Sequence, residues 1–142
     1  MNEERQQALT RLAALGFQGA DVYLAELIPA VEMAWADGEI QPRERLVLEA
    51  YCEALVDRLN REAGYAFFTL RRAHRLLGAL LTSRLSPAAR QAALEALSRA
   101  DGVADRERML TWAEAVGGAA GAPPWDTREQ FWLQAMRRAF AS

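Results

Sequence analysis

Lysine is absent from this chain: all 17 basic residues among its 142 are arginine, and alanine is abundant. Coding bias explains that pattern without any selection for guanidinium chemistry, so arginine clusters carry little weight by themselves. Cys52 is the single cysteine, which excludes an intrachain disulfide and a multi-cysteine zinc site and fits a reducing cytoplasm. His74 is the single histidine, so paired-histidine zinc motifs are excluded too. No apolar stretch approaches the ~20 residues that span a bilayer. The first residues, Met1-Asn2-Glu3-Glu4-Arg5-Gln6-Gln7, are acidic and amidic where a signal peptide needs a basic end and an apolar run. The expectation is a cytoplasmic protein with no membrane partner. Excess positive charge is also missing: the formal net charge is −2, so no global field collects nucleic acid or an anionic membrane. β-Branched residues are scattered and no segment alternates apolar with polar, which argues against strands.

With 51% hydrophobic and 25% charged residues, the composition is that of a folded globular protein. Residues 1–142 are read as a single domain, since no linker divides them. Helix signals run throughout and predict an all-α fold of about seven helices. Asn2 caps a first helix to about Leu15, stopped at Gly16. A second, from about Asp21 to Ala36, should be kinked by Pro29. Pro42 opens a third to about Glu62, whose apolar residues run so far round that it is expected to be the most buried. A fourth ends near Arg84, and Ser86-Pro87 starts a fifth to Ala100. The sixth spans about Asp105 to Val116, after which Gly117 to Pro124 is read as the one real loop. Asp126 with Glu129 begins the seventh, carrying Trp132, Ala135, Met136 and Ala139.

The strongest internal feature is Ala36-Asp37-Gly38-Glu39-Ile40-Gln41-Pro42-Arg43-Glu44, which returns in looser form as Ala100-Asp101-Gly102-Val103-Ala104-Asp105-Arg106-Glu107. Both copies fall between helices, which suggests two pseudo-repeated halves. Two readings of the junction stand side by side. In the structural one, Gly38 ends a helix in the left-handed conformation and Glu44 reaches back to cap the next. In the other, Asp37, Gly38, Ile40 and Glu44 match the fifth, sixth, eighth and twelfth positions of a calcium loop. Met33 and Trp35 hold the places of two carboxylate ligands, which excludes a true EF-hand.

The run Ala34 to Glu44, with the helix count and the second junction, resembles the TerB-like tellurite-resistance family of small all-helical bacterial proteins. The resemblance implies a non-enzymatic stress-response module, with an acidic cluster binding a divalent cation such as calcium, magnesium, manganese or zinc. Carried over by residue, the metal positions are Asp37 and Glu44, then Asp101 and Glu107. The second interval is one residue shorter, which turns Glu107 by about 100° around its helix.

Other constellations read more simply. Glu49, Glu53 and Asp57 form an acidic row flanked by Arg45 and Arg61, expected to be a solvated, arginine-tied face. His74 is expected at the core edge, and Cys52 as a small buried hydrophobe. Trp35, Trp112, Trp125 and Trp132 are read as core or interface residues. Arg71, Arg72, Arg75 and Arg84 beside Phe67 and Phe68 are the only basic stretch with aromatic neighbours, too little for nucleic acid against an acidic total. Arg108 stands where a DNA-binding turn should present an apolar core residue. No nucleophile with a histidine partner, phosphate loop or zinc motif is present. The reading is therefore a non-catalytic module acting through a protein partner. The alternatives are a small metal-dependent hydrolase and an arginine-rich nucleic-acid binder. A homodimer stays open, and the sequence does not show which face would pair.

Overall fold

The computed structural model describes residues 3–36, 38–100, 103–119 and 127–141. Among these, seven α-helices and one 3₁₀ segment account for the regular structure and no strand occurs, so the all-α expectation holds. The helices are α1 (Glu3–Ala14), α2 (Ile28–Trp35), α3 (Pro42–Ala63), α4 (Leu70–Thr82), α5 (Pro87–Arg99), α6 (Arg106–Ala119) and α7 (Thr127–Phe140). The 3₁₀ segment, Gly19–Leu27, leads directly into α2.

Most ends follow the local chemistry read from the sequence. Gly16 at φ 104° follows the end of α1. Thr69 and Ser86 cap α4 and α5 by accepting from the backbone N–H of Arg72 and Ala89, each at 3.1 Å. Gly64, left-handed at φ 82°, closes α3, and its N–H donates to Asn60 O at 2.9 Å. Asn2 and Asp126, expected to cap α1 and α7, lie outside the described residues.

Three expectations need correction. The second helix is not one kinked rod: a 3₁₀ segment precedes α2, and Pro29 sits in the first turn of α2, a position that tolerates proline. The most buried helix is α2, in which Ile28 to Ala34 are all buried. By contrast α3 leaves Leu46 66% exposed and buries one stripe, Leu48, Tyr51, Cys52, Leu55 and Val56. Its apolar count is high because exposed Leu46, Ala50 and Ala54 add to that stripe. Finally, α6 continues through Gly117 and Gly118 to Ala119. Two glycines cost a helix roughly 2 kcal/mol in propensity, but Val116 and Gly117 are buried, and the packing of α6 on α2, α3 and α7 outweighs that cost. The rest of that expected loop, residues 120–124, lies outside the described residues.

The core centres on α2. Leu24, Leu27, Ile28 and Met33 meet Leu48, Tyr51 and Leu55 of α3, Leu77 of α4, Leu94 and Leu97 of α5 and Met109 of α6 in one apolar cluster. The two junctions share the order helix, turn, helix, yet their surroundings differ. The first half's α2 packs against α6, whereas α5 packs against α1 and α7.

Candidate functional site

At the first junction, the end of α2 is held by the Trp35 indole N–H, which donates to Leu80 O at 3.0 Å, and by Gly38 N–H, which donates to Trp35 O at 2.7 Å. Gly38 has φ 94°, the left-handed value expected there. Gln41 and Glu44 form a capping box: the Gln41 N–H donates to Glu44 Oε1 at 2.7 Å, and the Gln41 side chain accepts from the Glu44 backbone. Glu44 is only 1% exposed. Its carboxylate thus does the structural work of starting α3, and Ile40 packs against the core beside it.

The second junction is built differently. Asp105 caps α6, accepting from Arg108 N–H at 2.9 Å, while Glu107 is exposed in the first helical turn. Asp37 and Asp101 lie outside the described residues. Among the described residues, no group of three or more histidine, cysteine, aspartate or glutamate side chains is placed to hold a metal ion. Calcium takes six to eight oxygens, and the described carboxylates here are Glu44, one oxygen of which is already bonded, exposed Glu39 beside it in the turn, and a separate exposed Glu107. Those described donors alone do not complete such a shell.

The remaining sequence candidates settle plainly. The acidic row on α3 is tied by Arg45 to Glu49 at 3.7 Å and by Arg61 to Asp57 at 2.7 Å, as expected of a solvated face. His74 is exposed, not at the core edge, because its ring leaves the Ala73, Leu77 and Leu80 stripe and points toward Glu53, 3.9 Å away. Cys52 is fully buried, and burial, with Glu53 and Glu49 nearby, pushes its thiol up to about 11. In the basic stretch, Arg72 is bonded to Asp21 at 2.8 Å and Phe68 is buried.

Two buried glutamates were missed, and both flank or lie in α2. Glu26, fully buried, accepts from Arg108 Nε at 2.6 Å and Nη2 at 2.5 Å, from Tyr51 Oη at 2.6 Å and from Asp105 N–H at 3.2 Å. Burial first, and the adjacent Glu26 carboxylate second, hold the Tyr51 phenol well above its ordinary range. The same hydrogen bonds hold the proton on Arg108. Tyr51 also stacks on Trp112 at 4.8 Å between ring centres. The network fastens α3 and α6 to the 3₁₀ segment.

Glu32 is 2% exposed and meets two guanidiniums: Arg84 Nε and Arg90 Nη1 each lie 3.4 Å from its Oε1. Burial raises its carboxyl above the usual value, partly offset by those two arginines. Unlike Glu26, it borders open space, a cleft of about 510 Å³ between α2, the α4–α5 turn, α5 and α7. Arg84, Arg90 and Arg128 supply the charge of this cleft, and Ala36, Pro87, Phe131 and Trp132 its apolar wall. The signal that could have found both glutamates is an acid inside an otherwise apolar stretch, Leu24 to Trp35. Arg108 at an inward helix position was the matching half of the first pair.

No helix of the described residues is long and apolar enough to cross a membrane. No family model, no curated protein and no solved structure matches this chain.

Proposed function

We propose that this protein is a non-catalytic, TerB-like helical module that works by binding, and that its first Asp-Gly junction is a helix joint without a metal. The observation that carries the reading is the employment of two buried carboxylates, Glu44 and Glu26. Glu44 is committed to the start of α3, and Glu26 to Arg108, Tyr51 and the Asp105 N–H. A catalytic acid or a metal ligand needs a lone pair or proton available to substrate or ion, and these groups spend theirs on helix ends and helix packing. The family resemblance at Ala34 to Glu44 supports the same class of module, and the divalent cation it implies is the part of the resemblance this reading sets aside.

Calorimetric titration with calcium, magnesium, manganese and zinc tests it, on the parent and on Glu44→Gln. The expected result is no saturable binding by either protein at millimolar metal, with Glu44→Gln less stable by about 0.5–2 kcal/mol through its weakened cap. Saturable submillimolar binding by the parent that disappears in Glu44→Gln overturns the reading.

A further inference from the structure

We propose that the cleft beside Glu32 is a binding site for a small organic anion, an apolar body bearing one carboxylate or similar oxyanion. The inference deepens the binding-module reading and rests on it only in expecting no turnover. Its first support is charge. The chain carries a net −2, yet in this cleft two guanidiniums, Arg84 and Arg90, share one glutamate, and Arg128 also lines it. Concentrated opposite charge of this kind attracts an anion and fixes its orientation.

The second support is geometry. Arg84 and Arg90 come from either side of Pro87 and converge on the same oxygen of a carboxylate that is 2% exposed. Each of those 3.4 Å contacts engages one N–H of a guanidinium that has five. Glu32 therefore acts as a buried post that sets the two forks before a ligand arrives, which lowers the ordering cost of binding. An arginine fork matches the two oxygens of a carboxylate.

The third support is the wall. Phe131 is 70% exposed at the mouth of the cleft, a large ring with no apolar cover. Trp132 beside it is fixed by its indole N–H, which donates to Pro29 O at 2.9 Å. Space of about 510 Å³ falls within the range of small-molecule pockets. An inorganic ion would leave these rings in water, and a neutral apolar compound would leave the guanidiniums unused. An amphipathic anion uses both.

The test uses 2-naphthoate as the probe, with binding followed by calorimetry and by tryptophan fluorescence, on the full chain. Saturable binding at submillimolar concentration is expected, weakened about ten-fold for neutral 2-naphthamide and for inorganic phosphate, since each lacks one of the two recognised features. Arg84→Gln and Phe131→Ser, both substitutions at solvent-accessible side chains, should each weaken 2-naphthoate about ten-fold while the thermal melt stays cooperative. Equal affinity for the amide or for phosphate, unchanged affinity in both variants, or no saturation at 10 mM (roughly the weakest useful affinity) overturns the inference and leaves the binding-module reading intact. An acidic peptide with a single aromatic residue that binds ten-fold tighter than 2-naphthoate (about 1.4 kcal/mol) also overturns it, in favour of a protein partner. Chemical conversion of the bound probe would instead sink the non-catalytic reading while the anion site stands.

Discussion

Replacing Arg108 with methionine leaves the Glu26 carboxylate, fully buried, without the two hydrogen bonds of 2.5 and 2.6 Å that neutralise it. Tyr51 Oη and the Asp105 N–H remain as partners, but neither carries a charge. Breaking one side of a buried pair costs roughly 3–5 kcal/mol, because the surviving charge keeps its desolvation penalty and loses its counter-ion. Arg108 retains 20% side-chain exposure, so water can reach part of the vacated space and the lower end of that range applies. With a urea slope of about 2 kcal/mol per molar, the unfolding midpoint should fall by about 1.5 M. Adding Glu26→Gln removes the stranded charge while keeping an acceptor for Tyr51, and should recover at least about 1 kcal/mol. Near-ultraviolet circular dichroism of the Tyr51–Trp112 stack reports whether the site stays ordered. Arg108→Met unfolding within about 0.5 kcal/mol of the parent, or a double variant weaker than Arg108→Met alone, refutes the claim that this pair fastens α6 to the 3₁₀ segment.

Gly38→Ala should lose about 1 kcal/mol, since φ 94° penalises a β-carbon although no atom lies within 4 Å of where it would sit; a parent-like melt refutes the strain. Cys52 should resist thiol reagents in the folded protein, and because the unfolded thiol ionises first, stability should fall as pH climbs from the ordinary value near 9 toward about 11; Cys52→Ala should flatten that slope in alkaline melts. Glu32, whose carboxyl is raised above 4.5, binds its proton more tightly folded than unfolded, so the stability it contributes is full below 4.5 and lost as pH rises through its folded value. The parent should accordingly gain stability relative to Glu32→Gln on acidification from about pH 7 to about pH 4, and a pH-independent difference refutes that assignment.

Helix ends were legible because they depend on a few neighbouring residues: Ser86-Pro87, Gly16 and the Gln41/Glu44 box each satisfy local backbone groups. Burial was less so. The apolar count of α3 overstated it, since Leu46 and Ala50 face water, while eight-residue α2 is too short for its periodicity to show that it is enclosed on every side. Gly117 and Gly118 misled for the opposite reason, a weak local preference overridden by packing on three other helices. The working groups were hidden because their partners are remote in sequence. Glu26 lies 82 residues from Arg108, and Glu32 lies 52 and 58 from Arg84 and Arg90. Spacing along one helix cannot reveal such pairs, and it drew attention instead to the repeated Asp-Gly junction, whose acidic side chain at Glu44 is used locally.

The two glutamates also explain why binding belongs on one side of α2 and not the other. Both sit in the most apolar part of the chain, and a carboxylate there needs a cation from another helix to remain charged. At Glu26 the answer is complete: a two-pronged arginine, a phenol and a backbone N–H close around it at 2.5 to 3.2 Å. At Glu32 the two arginines stand off at 3.4 Å, come from the α4–α5 turn and α5, and are 36% and 18% exposed. Those guanidiniums are close enough to be held and open enough to be shared. A loosely held cation pair beside Phe131 and Trp132 can strengthen its contacts when an anion enters, whereas the tight pair at Glu26 can only lose by rearranging. The same chemical device, an acid under the bundle met by arginine, therefore serves as a fastener at one end of the central segment and as the floor of a binding cleft at the other.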